Sequence, residues 1–339
     1  MTRRRGRRAR LLVGLLLGAS LALAGCSATP DTSGEPQQRT PPQTWPLTGL
    51  RVGDGSAARK HPVLVLKMDN TASSAPQRGL SSADLVVEEL VEGGVTRLAA
   101  FYYSDIPGVV GPVRSMRASD IGIVSPVDAT MVTSGAARQT IARLAEAGVP
   151  FVTEGSAGFF RDAARRAPYN LMTDLSEVAV ALGEGGQRSR PLDYLPFGPA
   201  RDLPNGQPAT SVAVRFSPAH TTTWVYRDGG YVDTGSLAAT GDEFPADSVL
   251  VLRVVVGDAG YLDPAGNTVP ETVLTGDGEA VLFHGGREVR GAWSKEDLAA
   301  PLVLSRQGAA GRAVPLTVPR GRTWIELVPA SGSLVTGSG

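Results

Sequence analysis

An aspartate and an asparagine, Asp69 and Asn70, end a short and nearly unbroken apolar run that begins at Val63. A run of this kind predicts a strand that is covered on both faces. Because ligand crevices in open α/β sheets form just outside the carboxyl ends of strands, Asp69 and Asn70 are candidate binding residues. The alternative is an Asx turn, in which the two side chains only cap the backbone as it leaves the sheet.

Two arginines, Arg114 and Arg117, follow the turn at Gly111-Pro112 and could form a site for an anion. If this segment begins a helix, the spacing places both guanidinium groups on one face, near the positive end of the helix dipole. Such a pair suits a carboxylate or a phosphate. The alternative is that the arginines form structural ion pairs with the acidic residues of an earlier segment, Glu88, Glu89 and Glu92.

Those three glutamates could also perform acid–base chemistry. Two carboxyl groups held about 5 to 9 Å apart can divide the acid and nucleophile roles of glycoside cleavage. Asp69 with Glu88 or Glu92 would be such a pair, and Glu88 and Glu92 share one face in either a strand or a helix. The alternative is that the glutamates are solvated or pair with Arg97. The candidate ligand-binding residues are therefore Asp69, Asn70, Glu92, Arg97, Arg114 and Arg117.

The sequence contains no recognisable nucleophile, metal or cofactor motif. The three histidines, His61, His220 and His284, lie in no pattern typical of a catalytic triad. No Cys, His or Glu spacing suits zinc, and neither a calcium loop nor a phosphate loop occurs, so we expect no metal and no cofactor. The tryptophans of the C-terminal half could stack on sugar rings, but tryptophans in short strands are more often core residues: Trp224, Trp293 and Trp324.

The only cysteine, Cys26, follows Leu23-Ala24-Gly25 at the end of a basic and then apolar N-terminus. The apolar stretch of residues 11–24 is shorter than the roughly 20 residues that a membrane-spanning helix needs. This pattern is typical of a bacterial lipoprotein signal, residues 1–25, whose removal leaves a lipidated cysteine. A secretory signal before a free thiol is the alternative, and Arg7-Arg8 leaves both general secretion and the twin-arginine route open.

Removal of the signal would also change the charge of the chain. Its six arginines leave with it, so the mature chain carries 27 basic against 33 acidic residues, a formal charge of −6. Nucleic acid and anionic lipid are both bound through clusters of lysine and arginine, so this sign argues against nucleic acid and against a basic lipid-binding face. We therefore expect attachment to membrane lipid through acyl chains on Cys26, at the outer face of the cytoplasmic membrane.

The elements that position these residues follow a tether. Residues 26–44 are rich in Pro, Ser and Thr, which predicts a disordered segment. Residues 45–200 alternate strand and helix patterns, as in an α/β-type domain with a mixed sheet. Residues 205–330 show short strand patterns between turns, which predict a smaller β-rich C-terminal domain, followed by a flexible tail over 331–339. The expected fold class is therefore α+β.

Within the first domain, residues 84–91 and 95–103 predict a β-hairpin. Glu92-Gly93-Gly94 lies between them, and glycine supplies the positive φ that a tight turn requires. A helix through Leu85, Val86 and Leu90 is the alternative.

Further along, residues 136–148 predict a helix that ends at glycine and buries Ile141, Leu144 and Ala145. Residues 150–152 predict a short strand. Residues 159–166, closed by Ala167-Pro168, predict a second and shorter helix.

The second domain contains six strand patterns with turn residues between them. Asp228-Gly229-Gly230 and Gly285-Gly286 lie where hairpin turns are expected. The predicted strands cover residues 211–216, 222–227, 248–256, 279–284, 287–293 and 323–328.

Several motifs, spread over nearly all of the mature chain, carry a family resemblance. They are Lys67-Met68-Asp69-Asn70 and the segments 76–84, 91–97, 111–117, 167–171, 291–295 and 321–326. In this succession they resemble the YerB-like family of bacterial lipoproteins. The resemblance implies two domains and a place in the cell envelope, but no reaction, because the family is of unknown function. Where the family's pattern has histidine this chain has Tyr169, so no shared imidazole is expected there.

From these observations we expect a lipid-anchored protein of the cell envelope that binds or scaffolds without catalysing a reaction. Its partners would be peptidoglycan or envelope proteins, and nucleic acid is not expected. The alternative is a cell-wall hydrolase that uses paired carboxylates, Asp69 with Glu88 or Glu92.

Overall fold

A long mixed β-sheet runs through the part of the chain that the computed structural model describes, residues 43–53, 55–186 and 188–338. Strands make up 43% and helices 14% of the structure, which confirms the α+β class with a mixed sheet. Within the described ranges, no helix has the length and apolar character needed to cross a membrane. The predicted signal over 1–25, Cys26 and nearly all of the predicted tether lie outside the described residues.

The elements of the first half are short apart from three strands and two helices. The strands are β1 Leu64–Asn70, β2 Leu85–Leu90, β3 Thr96–Tyr102, β4 Val109–Val110, β5 Thr130–Val132, β6 Phe151–Val152, β7 Phe159–Arg161, β8 Leu171–Asp174 and β9 Phe197–Gly198. The helices are α1 Asp120–Val124, α2 Arg138–Glu146 and α3 Leu175–Gly183.

The described residues of the second half form strands and two short 3₁₀ turns. These strands are β10 Gln207–Pro208, β11 Ser211–Ser217, β12 His220–Arg227, β13 Gly230–Asp233, β14 Ser248–Leu262, β15 Thr268–Val273, β16 Gly276–His284, β17 Arg287–Lys295, β18 Val303–Gln307, β19 Ala313–Pro315, β20 Val318–Pro319, β21 Thr323–Pro329 and β22 Ser333–Gly337.

Strands from both halves join in the large sheet. Its path is β19-β18-β17-β16-β14-β21-β2-β3-β1-β5-β6, with β10 and β15 attached to β17 and β14. The C-terminal strand β21 lies between β14 and β2 and is parallel to both. The hairpin β2–β3 then leads to β1, which is parallel to β5. The two predicted domains therefore share one sheet, while their boundaries stay a prediction.

The central strands are buried on both faces, as the apolar run at Val63 predicts. On one face Val65, Val87 and Phe101 pack with α1 and α2 in one core. On the other face Leu64 and Val86 pack in a second core against the four-stranded sheet β13-β12-β11-β22, named here the small sheet. Since side chains alternate along a strand, each residue of β1, β2 and β3 is committed to one of these two cores.

The predicted hairpin is confirmed, and the alternative helix through Leu85 is wrong. Strands β2 and β3 pair antiparallel from Leu85 opposite Phe101 to Leu90 opposite Thr96. A short 3₁₀ turn, Glu92–Gly94, joins them, and Gly93 has a φ of 76°, which favours glycine.

The helix predicted over 136–148 is confirmed as α2, but its buried face differs from the prediction. Thr140 and Leu144 are buried, whereas Ile141 is 38% exposed. The hydroxyl of Thr140 makes a 2.7 Å hydrogen bond with that of Tyr261, which explains why a polar residue occupies the buried side.

The prediction of a second helix over 159–166 is wrong. Phe159–Arg161 is strand β7 and pairs antiparallel with β8, because a cross-strand partner is available and overrides the local pattern. The short strand predicted over 150–152 is confirmed as β6.

All six strands predicted in the second half are confirmed, and both glycine-containing hairpin turns lie where expected. The prediction of a flexible tail over 331–339 is wrong for residues 333–337. Residues Ser333–Gly337 form β22, which pairs along β11 and completes the small sheet.

Candidate functional site

Five charged side chains meet at the carboxyl end of β1 and are named here the arginine cluster: Asp69, Glu92, Arg97, Arg114 and Arg117. Asp69 lies directly opposite Arg97 in the pairing of β1 with β3, so both side chains point to the same face of the sheet. This face carries α1. The structure thus brings five of the six candidate residues together, and their role in binding a ligand stays a prediction.

Glu92 is the centre of the cluster because it binds two arginines. Arg117 donates from Nε to Oε2 of Glu92 at 2.9 Å and from Nη2 to Oε1, and Arg97 donates from Nη2 to Oε1 at 2.9 Å. Burial opposes ionisation of Glu92, but the hydrogen bonds from Arg117 and the charge of Arg97 outweigh it and lower its pKa. Burial and the neighbouring charge of Arg117 lower the pKa of Arg97 to about 10, so both partners are charged at neutral pH.

Asp69 forms the Asx turn that the sequence analysis gave as the alternative to a binding role, and it also pairs with Arg114. Its Oδ1 accepts a hydrogen bond from the backbone N–H of Thr71 at 2.9 Å and one from the Thr71 hydroxyl at 2.5 Å, which is an Asx turn. Its Oδ2 lies 2.6 Å from Nε of Arg114 in an ion pair, at an angle that does not make a hydrogen bond. Asp69 therefore caps the strand and also positions Arg114.

Arg114 is the open member of the cluster. Its side chain is 23% exposed, compared with 8% for Arg97 and 9% for Arg117. Its guanidinium carbon lies 5.2 Å from the ring centre of Tyr169. Within the described residues, neither of its terminal nitrogens has a hydrogen-bond partner. These two nitrogens can therefore bind a ligand without breaking an existing contact.

The predicted helix that would align Arg114 and Arg117 is wrong. Residues 114–117 are extended, and α1 begins only at Asp120. Arg114 donates its N–H to the carbonyl of Lys67, and its own carbonyl accepts from Ser134, so the segment lies between the ends of β1 and β5. Arg114 and Arg117 come close together because the backbone that carries them crosses this end of the sheet.

A second charged group, which the sequence analysis missed, lies beneath the cluster. Lys67 is fully buried, forms an ion pair with Glu89, and lies 2.8 Å from Oδ1 of Asp120. Glu89 also accepts from the hydroxyl of Ser119 at 2.5 Å. Burial raises the pKa of Glu89, and the nearby carboxylate of Asp120 adds to this rise. The signal was available, because a lysine in a doubly buried strand requires buried acidic partners.

Asn70 and Glu88 lie on the opposite face of the sheet from Asp69. Asn70 donates from Nδ2 to Glu88 at 3.1 Å, in the core shared with the small sheet. The prediction that Asp69 and Asn70 form one site is therefore wrong, because neighbouring strand residues point to opposite faces. For the same reason Asp69 and Glu88 cannot act on one bond. Glu92 lies beyond the strand and on the face of Asp69, so the expected alignment of Glu88 with Glu92 is wrong as well.

Glu88 is the centre of a buried network, named here the glutamate network, that joins the two sheets. Its two oxygens accept hydrogen bonds from five side chains: Asn70 (3.1 Å), Thr96 (2.7 Å), His220 (2.8 Å), Thr222 (3.0 Å) and Trp324 (3.2 Å). Burial opposes ionisation, but the hydrogen bond and charge of His220 outweigh it and lower the pKa of Glu88. Burial likewise lowers the pKa of His220, and Glu88 more than reverses this, so the pKa of His220 is raised.

A second glutamate, Glu326, lies opposite Glu88 in the pairing of β2 with β21. Glu326 accepts a 2.7 Å hydrogen bond from Nε1 of Trp224 and is fully buried. Burial and the negative charge of Glu88 raise the pKa of Glu326 well above its usual value. Burial and Glu88 also raise the pKa of Asp233, to about 6. The pair therefore consists of one ionised carboxylate, Glu88, and one neutral carboxylic acid, Glu326.

The glutamate network offers a ligand little access. Glu88 and Glu326 are fully buried, and His220, with a side chain 19% exposed, reaches the edge. The predicted core role of the tryptophans is confirmed, since Trp224, Trp293 and Trp324 are at most 4% exposed. Among the residues that the structure describes, no group of three or more His, Cys, Asp or Glu side chains could hold a metal ion.

Comparison with known proteins gives three findings. Residues 47–188 match the N-terminal domain, and residues 212–325 the C-terminal domain, of the family described as "Protein of unknown function (DUF3048)". A Bacillus subtilis (strain 168) protein with the name "Putative lipoprotein YerB" is 26% identical over 306 residues, 84% of this chain and 86% of that protein. The crystal structure of the YerB protein from Bacillus subtilis has the same fold, with a TM-score of 0.69 and 22% identity over 87% of this chain and all of that one.

The glutamate network predicts opposite outcomes for two matched substitutions. Glu88→Gln removes the negative charge that five donors, including His220, surround, so we expect it to lower the free energy of unfolding by about 3–5 kcal/mol. Glu326→Gln replaces a neutral carboxylic acid by a neutral amide of similar shape, so we expect no loss of stability at neutral pH. Urea unfolding at neutral pH measures both. Equal losses for the two variants would contradict the assignment of the proton to Glu326.

The raised pKa of Glu326 also predicts a pH dependence. An unfolded chain releases this proton near pH 4.5 while the folded chain keeps it, so stability falls as pH rises above 4.5. Glu326→Gln has no proton to release, so its free energy of unfolding should increase relative to that of the unmodified chain as the pH rises from 4.5 to neutrality. Urea unfolding over this range tests the difference, which a pH-independent gap between the two proteins would contradict. Stability from His220 and Glu88, lost as pH rises through the raised pKa of His220, is common to both proteins.

Proposed function

Since this chain belongs to the DUF3048 family, which confirms its resemblance to the YerB-like lipoproteins, we propose that it is a lipid-anchored binding module of the cell envelope. In this proposal Cys26 holds the protein at the outer face of the cytoplasmic membrane. The arginine cluster then binds an anionic group of the cell wall or of an envelope protein. No catalysis is required.

The observation that carries the binding proposal is the open guanidinium of Arg114. The arginine cluster contains three cations and two carboxylates, and both carboxylates already have arginine partners. The cluster therefore carries a surplus of one positive charge, and Arg114 is its most exposed arginine. A guanidinium presents parallel donors that match the two oxygens of a carboxylate or phosphate, which makes an anion the natural ligand.

Groups around Arg114 support the same ligand class. The hydroxyls of Ser115 and Ser134 lie 3.2 Å apart and are both half-buried at the same sheet end. Their O–H groups could donate to a second oxygen of the ligand. Outside the membrane, the abundant anions of suitable size are the carboxylates of peptidoglycan stem peptides and the phosphates of wall polymers. We propose that one of these groups is the ligand.

The surrounding contacts favour binding over hydrolysis. Of the carboxylates that the hydrolase hypothesis uses, Glu92 is held ionised by Arg97 and Arg117, so it cannot serve as a general acid at neutral pH. Asp69 is held by Thr71 and Arg114. Glu92 therefore lacks the raised pKa that a proton donor needs, in contrast to the deeply buried Glu326.

The binding proposal predicts that Arg114→Gln weakens retention on purified cell wall while the protein stays folded. Removal of a charged hydrogen-bond donor costs about 1.5–3 kcal/mol, which corresponds to a roughly tenfold to hundredfold weaker affinity. Sedimentation with purified peptidoglycan that retains its wall polymers measures the effect. The matched control is Arg166→Gln, since Arg166 is exposed and has no ion pair within the described residues. Unchanged sedimentation of a folded Arg114→Gln protein would contradict the proposal.

The anchoring proposal predicts a modified N-terminus. Mass spectrometry of the protein from its native membrane fraction should find Cys26 as the first residue, with a diacylglyceryl group on its sulfur. Cys26→Ser should release the protein from that fraction, because two buried acyl chains supply the attachment. An unmodified chain in the cytosol with its leader intact would contradict the envelope location.

A further inference from the structure

The end of the sheet opposite the arginine cluster carries a second group of cations, named here the basic pole: Arg51, Arg59, Lys60, Arg188 and Arg190. The pole lies where the described chain begins, around residues 43–61. Strand β1 starts at Leu64, just beyond it, and ends at Asn70 beside the arginine cluster. Seven residues at about 3.3 Å each separate the two groups by roughly 20 Å along the strand. The two cationic groups therefore occupy opposite ends of the same strand.

The cations of the basic pole converge through direct contacts. The N–H of Arg188 donates to the carbonyl of Arg59 at 3.0 Å, and the Arg59 guanidinium carbon lies 4.3 Å from the ring centre of Trp45. Arg190 donates from Nε to the carbonyl of Thr44 at 2.8 Å, and Thr44 forms a β-bridge with Arg51. Burial, and then the charges of Arg59 and Arg188, lower the pKa of His61, because both arginines lie near its ring.

Most of this charge has no partner within the described residues. Arg190 forms an ion pair with Asp193, whereas Arg51, Arg59, Lys60 and Arg188 form none. The described acids near the pole are Asp193, which pairs with Arg190, Asp128 and Glu184, which line recesses there, and the exposed Asp105, next to Ile106 of the second recess. Asp54, which the structure does not describe, belongs to the same segment of sequence. Among the described residues, five cations therefore lie near four acids, although the mature chain carries a formal charge of −6.

The basic pole also exposes apolar side chains and a recess. Leu192 is 68% exposed and Leu50 is 44% exposed, although both are large aliphatic residues. A recess of about 300 Å³ opens between His61, Arg188, Arg190 and Leu192. Cations with interspersed leucines are the combination that binds the headgroup region of a bilayer, where arginine contacts phosphate and leucine enters the acyl boundary.

The position of the pole along the chain indicates which surface it meets. The described chain starts at Gln43, and 16 residues separate it from Cys26. Even a fully extended segment of this length reaches only about 55 Å, so a lipidated Cys26 would keep the first described residue within that distance of the bilayer. The tether holds the pole at a high effective concentration at the membrane, so even a weak interaction with the lipid surface can orient the protein.

We propose that the basic pole docks on the anionic phospholipid surface of the membrane that anchors the protein, and so directs the arginine cluster away from it. This inference rests on the lipid anchor of the proposed function. The net charge of the chain led us to expect no basic lipid-binding face, and this proposal departs from that expectation. The fold brings together cations from two separate segments, residues 51–60 and 188–190. The small excess of charge orients a tethered protein and is too weak to recruit a free one.

Amide hydrogen exchange on vesicles tests this orientation. Because Cys26 is the only cysteine, the chain from residue 26 onward can be coupled through it to maleimide-bearing lipid. On phosphatidylcholine vesicles that contain phosphatidylglycerol, exchange over residues 50–60 and 188–192 should slow severalfold relative to phosphatidylcholine alone. Exchange over residues 111–117, at the arginine cluster, should be the same on both. High salt should abolish the difference, since it screens the charges.

Two pairs of charge reversals complete the test. Lys60→Glu with Arg188→Glu should abolish the effect of phosphatidylglycerol, because both side chains are exposed members of the pole. Arg138→Glu with Arg166→Glu, equally exposed but near the arginine cluster, should preserve it. Equal exchange on the two kinds of vesicle, or slowed exchange at residues 111–117, would overturn the docking proposal. Because chemical coupling replaces cellular lipidation, this test does not require the native protein to be lipidated. An unlipidated native Cys26 would contradict only the proposed anchor.

Discussion

The structure depends on the requirement that charged residues inside a doubly covered sheet find partners on neighbouring strands. Lys67, Glu88 and Glu89 lie in strands that are buried on both faces, and each unpaired charge at such a position would cost several kcal/mol. Lys67 is satisfied only if β2 brings Glu89 and α1 brings Asp120 to the same face. A shift of register by one residue would move every one of these charges to the wrong core. The ion pairs therefore specify the alignment of β1, β3 and β2 as strictly as the apolar residues do.

The same requirement produces two different results on the two faces of the sheet. On the face of the small sheet, Glu88 accepts from five donors and shares its environment with a neutral Glu326, so the network is closed and holds the two sheets together. On the face of α1, the chain supplies three arginines for two carboxylates at the rim. Among the residues that the structure describes, the terminal nitrogens of Arg114, above Tyr169, have no hydrogen-bond partner. The closed network is structural, and the open cluster is the site that we propose for a ligand.

The sequence predicted the elements and most of the cluster, because both depend on local patterns. The unbroken apolar run gave a doubly buried β1, and Gly93-Gly94 gave the hairpin that carries Glu92 and Arg97. The prediction failed where distant segments decide the structure. The face of Asn70 and the role of Glu88 follow from strand alternation together with contacts to His220 and Glu326, which lie far away in the sequence. Residues 159–166 became a strand because β8 pairs with them, and no local pattern contains that partner.

The central claim is that internal pairing leaves Arg114 as the open cation of the arginine cluster. The most direct test is a titration of arginine-labelled protein with a soluble peptidoglycan fragment and with inorganic phosphate, followed through the NMR signals of the arginine side chains. The account predicts that the Arg114 signal shifts with ligand concentration, while those of Arg97 and Arg117, already held by Glu92, stay in place. Shifts confined to other arginines, or no shift with either ligand, would contradict it.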